Sequence, residues 1–287
     1  MEGARGLMAE AIYALRSSPR LMIGVSIFSF YVMLAMIGPL LYPVDPRKPI
    51  FEHLQPPSPQ HPLGTDVLGR DVFAQLIHGT YYSLKIGFMA AVIASILGIV
   101  IGGVGGYFGG VIDDLLTLIT NIFLCVPTIA LLVILAAYFR VRSEWIVILL
   151  LGITTWPSMA RSIRSQILSL KVREFVDTAK LCGMSSLKIL FREVLPNMLA
   201  YIVMYFILNI AIAIVSEAGL SAIGLGPTGI ISLGMILRWA IVWEAVRYGA
   251  WWWFIPPGLS ITLISLSLLM INDALDKLYN PRARTTR

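Results

Sequence analysis

A chain of 287 residues that is 57% hydrophobic and only 13% charged, with a mean hydropathy of +0.81, departs from the soluble class, where about 25% of residues are charged. An integral membrane protein is expected, and the modest net charge of +6 gives no argument for a nucleic-acid partner. The two cysteines, Cys125 and Cys182, have no metal-type spacing, and His53, His61 and His78 in one polar stretch form no metal signature.

Residues 1–20 carry Arg5, Arg16 and Arg20, and the apolar run Leu21–Leu41 follows with no small-residue cleavage site after it. It reads as an uncleaved first span with a cytoplasmic N-terminus. Tyr42–Ser83 holds seven of the 16 prolines and is expected to be a loop outside the membrane. Within it Asp66, Arg70 and Asp71 can pair locally. Asp71 can cap a short interfacial helix with Val72, Phe73, Leu76 and Ile77 on one side.

Leu84–Phe108 is expected to be the second span. Gly98, Gly102, Gly106 and Gly110 recur every fourth residue, a spacing that lets another helix backbone approach closely. A phosphate-binding loop is a poor alternative, since no Gly-Lys pair occurs anywhere in the chain. Asp113 and Asp114 are expected at a tight turn. Leu115–Phe139, containing Asn121 and Pro127, is the expected third span, and Trp145–Ala160 the fourth.

Lys171–Asn197 is polar and reads as two short amphipathic helices. Val172, Phe175, Val176, Ala179 and Cys182 recur at helical spacing in the first, and Leu187, Leu190, Phe191, Val194 and Leu195 in the second. Gly183 suits the left-handed residue between them, Ser185 can cap the second, and Pro196 is expected to stop it. Neither is long enough to span a bilayer. Periodicity leaves two readings: a docking knob for a soluble partner, or a loop lying on the membrane.

Met198–Leu220 is the expected fifth span, with Glu217 near its end. Ser221–Ala250 is mixed and can include a re-entrant helix. Trp251, Trp252 and Trp253 are expected to anchor at the interface ahead of a sixth span, Phe254–Ile271. With six spans, 14 Lys and Arg fall on the side of the knob and both termini and 8 on the other. That bias puts the knob and both termini in the cytoplasm.

The knob resembles the cytoplasmic coupling loop, the EAA loop, of ABC-importer permeases: Gly183 and Leu195-Pro196 have that family's spacing. Asp177-Thr178-Ala179 stands where the family has Glu-Ala-Ala, a departure. HPLGTDVLGRDVF from His61, SLKIGF, GYFGGVIDD, SEAGLSAIGLG from Ser216 and INDALDKLYNPR from Ile271 are similar to the peptide-transporter branch in particular. That branch also contains nickel and oligosaccharide systems. The resemblance implies an all-α integral membrane protein of type I importer permease fold, with residues 1–83 as tail, first span and external loop, and 84–287 as the core domain with coupling loop 161–197.

It also implies a non-catalytic subunit in the plasma or inner membrane. That subunit pairs with a homologous permease, two cytoplasmic ATPases that bind ATP and Mg, and an external solute-binding protein. Glu174, Phe175, Asp177, Ala179, Gly183, Ser185, Leu187, Phe191 and Arg192 are the expected ATPase-coupling residues, with Phe175, Leu187 and Phe191 as apolar anchors. Asn121, Glu217 and Ser221 are the candidate pathway residues. Where the family often has Arg and Asp before the third-span proline, this chain has Leu118 and Asn121, so no charged substrate contact is implied there. Glu217 is expected to have a structural role, capping or pairing with Arg238 or Arg247, ahead of substrate contact. An ion-coupled secondary transporter is the different-class alternative, and a channel another. The spans supply almost no central charge for the first, and no filter-like loop is evident for the second.

Overall fold

Ser18 opens the first helix by accepting a hydrogen bond from the Leu21 amide, with Pro19 pre-set at the first helical position. The computed structural model describes residues 18–279. Arg5, Arg16 and the tail from Asn280, which enter the expectation for the termini, lie outside them. The described residues are mainly helical and contain no strand, only one isolated bridge between Thr65 and Asp71. Five helices are long and apolar enough to cross a membrane, and a sixth span is a bent pair.

The first span is α1 (Pro19–Leu41), as the apolar run predicts. The second differs. Asp71 caps as expected, its Oδ1 accepting from the Ala74 amide at 2.8 Å, but the helix it opens does not stop at the interface. It runs on as α2 (Val72–Phe108), 37 residues, straight through the expected boundary at 83/84. No proline or turn glycine interrupts 72–84, so an amphipathic start and an apolar continuation form one helix. α2 is also the centre of the bundle: α1 and all the later spans pack on it.

Gly109 and Gly110, both at positive φ (71° and 58°), make the turn that Asp113 and Asp114 were expected to make. The two aspartates instead lie in α3 (Gly110–Cys125). Pro127 has no N–H for a helical bond, and the third span bends there by 87° into α4 (Thr128–Ala137). The fourth span, α5 (Glu144–Leu170), is 27 residues long, so Arg161 and Arg164 belong to the span rather than to the knob.

α2 and α5 make the largest helix contact of the fold, and the glycine ladder explains why. A methyl at Gly98 would meet Met159, at Gly102 the Ala160 carbonyl, and at Gly106 the Arg164 backbone. Small residues at every fourth position thus let the two backbones touch. Gly110, in the turn itself, takes no part.

The knob follows: α6 (Glu174–Leu181), α7 (Ser186–Ile189), a π-helical stretch Leu190–Val194, and α8 (Leu195–Asn197). Pro196 does not end the helix. It sits in the first turn of α8, and a single break at Met198 leads into the fifth span, α9 (Leu199–Ala222). The mixed segment does contain a short apolar helix, α10 (Leu233–Val242), packed against α2, α9 and α11. The last span is α11 (Trp251–Tyr279).

The tryptophans do not form an interfacial belt. Trp251 is half exposed, but Trp252 and Trp253 are buried, and Trp252 Nε1 donates to the Thr65 carbonyl. Trp252 thereby holds the loop before α2, where Asp66 also accepts from Arg70 Nε at 2.6 Å and Gln75 Nε2 at 2.8 Å, and Arg70 stacks 4.3 Å above Trp239.

Candidate functional site

The knob is built on a complete helix-ending motif. The Gly183 amide donates to the Lys180 carbonyl at 2.9 Å and the Met184 amide to the Ala179 carbonyl at 3.1 Å. Gly183 holds φ at +75°, where a glycine avoids the Cβ clash. The first helix is thereby turned back against the spans. Ser185 stands at the start of the next helix with extended backbone, but its side chain makes no capping bond; only its carbonyl accepts, from Ile189.

The apolar residues of the knob divide into two sets. Val176, Ala179, Ile189, Leu190 and Val194 are buried with Ile163 and Ile167 of α5. Phe175 is half-buried against the same cluster, so it is a packing residue as much as an outward anchor. Leu187 and Phe191 are 56% and 57% exposed, one helical turn apart on one face. Val172 and Cys182, counted in the inward stripe from spacing, are exposed, and so is Leu181, at 90%. In the second helix the π stretch splits the expected stripe. Its extra residue per turn rotates Ile189, Leu190 and Val194 inward together and leaves Leu187 and Phe191 out. Glu174, Asp177 and Arg192 are on the exposed side. Asp177 bonds Lys180 at 2.9 Å, and that hydrogen bond raises the ammonium pKa above its ordinary value.

Glu217 and Ser221 are brought together, but Asn121 is not with them. Glu217 is fully buried and accepts from Ser221 Oγ at 2.6 Å, Ser232 Oγ at 2.7 Å and Ser83 Oγ at 3.4 Å. The expected arginine partners are wrong: Arg247 pairs with Glu244, and Arg238 makes no ion pair among the described residues. Ser83 also accepts from the Leu233 amide and Ser232 from the Met235 amide, so the carboxylate ties α2, α9 and the start of α10 together. This supports the structural role over a surface for substrate. Glu217→Ala strips the acceptor from three buried hydroxyls and opens a cavity. It is expected to cost about 3 kcal/mol, whereas Glu217→Gln retains the volume and an acceptor and costs far less. Thermal unfolding in detergent checks the order, and an alanine variant melting with the wild type would exclude the latch.

Asn121 lies in a groove of about 210 Å³ between α2, α3 and α5. Its Oδ1 accepts from Arg161 Nη2 at 2.7 Å. In the same groove Arg164 grips Asp113 with Nε at 2.5 Å and Nη2 at 2.6 Å, a bidentate pair across the α3–α5 contact. Neither arginine was singled out in the sequence, because both were counted in the knob loop; their spacing of three in a helix that continues the span was the available signal.

A family model for the binding-protein-dependent transport system inner membrane component matches residues 94–285, which contain the knob, the groove and Glu217. The chain belongs to this family. A second model, the N-terminal TM domain of oligopeptide transport permease C, matches residues 6–57. The dipeptide transport system permease protein DppC of Bacillus subtilis is 34% identical over 277 residues, covering 96% of this chain and 86% of that one. The oligopeptide transport system permease protein OppC of the same organism is 31% identical over 97% of this chain and 90% of its own. Among solved structures, the MetNI methionine ABC transporter in an inward-facing conformation is similar in fold, with a TM-score of 0.56 at 20% identity, covering 74% of this chain and 96% of that chain. The architecture is therefore the type I importer permease fold, and the molecule is a multi-pass membrane permease subunit of a binding-protein-dependent transport system.

Proposed function

We propose that this chain forms half of the translocation pathway of an ATP-driven peptide importer in the plasma or inner membrane. It pairs with a homologous permease, takes no catalytic part itself, and receives work from two cytoplasmic ATPases that bind ATP and Mg. An external solute-binding protein delivers the substrate. Kinship with dipeptide and oligopeptide permeases over nearly the whole chain supports the substrate class.

The observation that carries the coupling role is the division of the knob. One apolar set is buried against α5, and a second, Leu181, Leu187 and Phe191, is exposed beside Glu174, Asp177 and Arg192. An apolar face rimmed by charge is the form of a helix-in-groove contact, with the charges setting orientation more than affinity. Ala179, Gly183 and Ser185 hold the angle between the two helices. ATP-driven closure of the ATPases moves the knobs and rocks the spans between inward- and outward-facing states.

The experiment is uptake into sealed vesicles holding the whole complex. Peptide uptake that requires ATP and survives an ionophore is expected; uptake driven by an ion gradient without ATP overturns the reading. Orientation is checked separately. With Cys125 replaced by serine, Cys182 is exposed on the knob. A membrane-impermeant thiol reagent is expected to label it only from the cytoplasmic side after the ATPases are stripped. Labelling in intact cells would reverse the topology.

A further inference from the structure

The groove between α2, α3 and α5 holds an arginine, Arg161, that no carboxylate among the described residues neutralises. Arg161 precedes Leu170, the last residue of α5, by ~13 Å of helix rise, so it lies in the body of a helix long and apolar enough to cross a membrane. An unpaired cation in a membrane-spanning helix is costly unless it faces a water-filled cavity or a partner group. Arg161 is nevertheless exposed and forms no ion pair among the described residues. The nearby carboxylate is already committed, since both Asp113 oxygens are held by Arg164. Asn121 gives Arg161 one amide oxygen, which orients the guanidinium without neutralising it. Its other N–H donors have no acceptor in the chain among the described residues.

A second observation points the same way. The span that carries Asn121 breaks by 87° a few residues further on, at Val126-Pro127. Non-helical backbone at membrane depth is tolerated only where it is buried in protein or lines a water-filled cavity. An oriented guanidinium, Asn121 and a floor of Gly102 and Gly105 line one space of about 210 Å³. That volume accepts the end of a chain rather than a whole peptide.

We propose that Arg161, positioned by Asn121, binds a carboxylate of the transported solute, the C-terminal carboxylate of a short peptide; this rests on the peptide-importer reading above. The planar fork matches a carboxylate in two parallel hydrogen bonds. The contact is a single charged pair in a wet groove, strong enough to favour entry and weak enough to allow release.

The test uses the complete complex, with partner permease, ATPases and binding protein, in proteoliposomes. Trialanine and its C-terminal amide are supplied in turn, and ATP-dependent uptake is read as the acid-to-amide ratio. Any preference of the binding protein is common to all variants and cancels. Arg161→Gln is expected to lower the ratio about tenfold, the loss of one charged hydrogen-bonded contact, and Arg161→Lys to restore part of it. Asn121→Asp, which neutralises the arginine in place, is expected to lower it as well. An unchanged ratio in Arg161→Gln, including an equal loss for both peptides, overturns the proposal and assigns Arg161 to pairing with the partner permease or to packing. If the wild-type complex takes up neither peptide, the importer reading fails with it; if only the ratio is insensitive, that reading stands.

Discussion

Gly102→Ala is expected to be strongly damaging to the helix bundle. Gly102 faces the Ala160 carbonyl, and the new Cβ would stand far inside van der Waals contact with that oxygen, with the α-carbon of Ala160 close behind. The obstacle is backbone, so no side chain can swing away. α2 and α5 must separate along the widest contact in the fold, which loosens every element packed on α2. Overpacking of this kind costs about 3 kcal/mol, which outweighs the gain of about 1 kcal/mol in helix propensity from replacing glycine. Gly103→Ala is the control on the same helix. Its Cβ would meet only Ile167 Cδ1 at 3.9 Å, an ordinary contact, so it is expected to be neutral or stabilising. Yield and thermal unfolding of the detergent-solubilised chain check both. Equal stability of the two variants would show that the glycine ladder does not set the helix separation.

Gly183→Pro is expected to leave the bundle intact and disable the knob. Proline fixes φ near −65°, while Gly183 sits at +75°, and the lost N–H is the one that closes the helix on the Lys180 carbonyl. The local cost is about 3 kcal/mol. It falls on a segment outside the spans, where no neighbour lies within 4 Å of the added atom. Membrane insertion should therefore be normal. Peptide uptake is expected to fall at least about tenfold, by release of the ATPases or by hydrolysis without transport, because the exposed pair Leu187 and Phe191 no longer stands at the angle the contact requires. Leu187→Glu tests the same face without touching the turn. Normal uptake by a Gly183→Pro complex that retains its ATPases would remove the knob from the coupling path.

Much of this was legible beforehand in particular residues. Asp71 as a cap, Asp66 with Arg70, Gly183 in the left-handed region and the close approach at Gly98, Gly102 and Gly106 all depend on neighbours a few residues away or on a simple repeat. The interfacial helix misled because amphipathicity over Val72–Ile77 says which face is apolar, not where the helix ends. The second knob stripe misled because a 3.6 period was applied to a segment with a π turn in it. Glu217 shows the other limit. Its burial was expected to be tempered by an arginine, and three serines drawn from α2, α9 and the start of α10 took that place.

What the sequence by itself determined is the class of molecule, the number and order of its spans, the position of the knob and the family. These follow from apolar length, turn chemistry and charge placement, which are properties of contiguous chain. Only the tertiary structure decided which knob residues face outward, that Arg164 neutralises Asp113 across 51 positions while Arg161 bonds only Asn121 among the described residues, and that the third span bends by 87°. Those outcomes depend on how each helix is rotated and what packs on it. Rotation is set by the jigsaw of contacts between distant segments rather than by any local period.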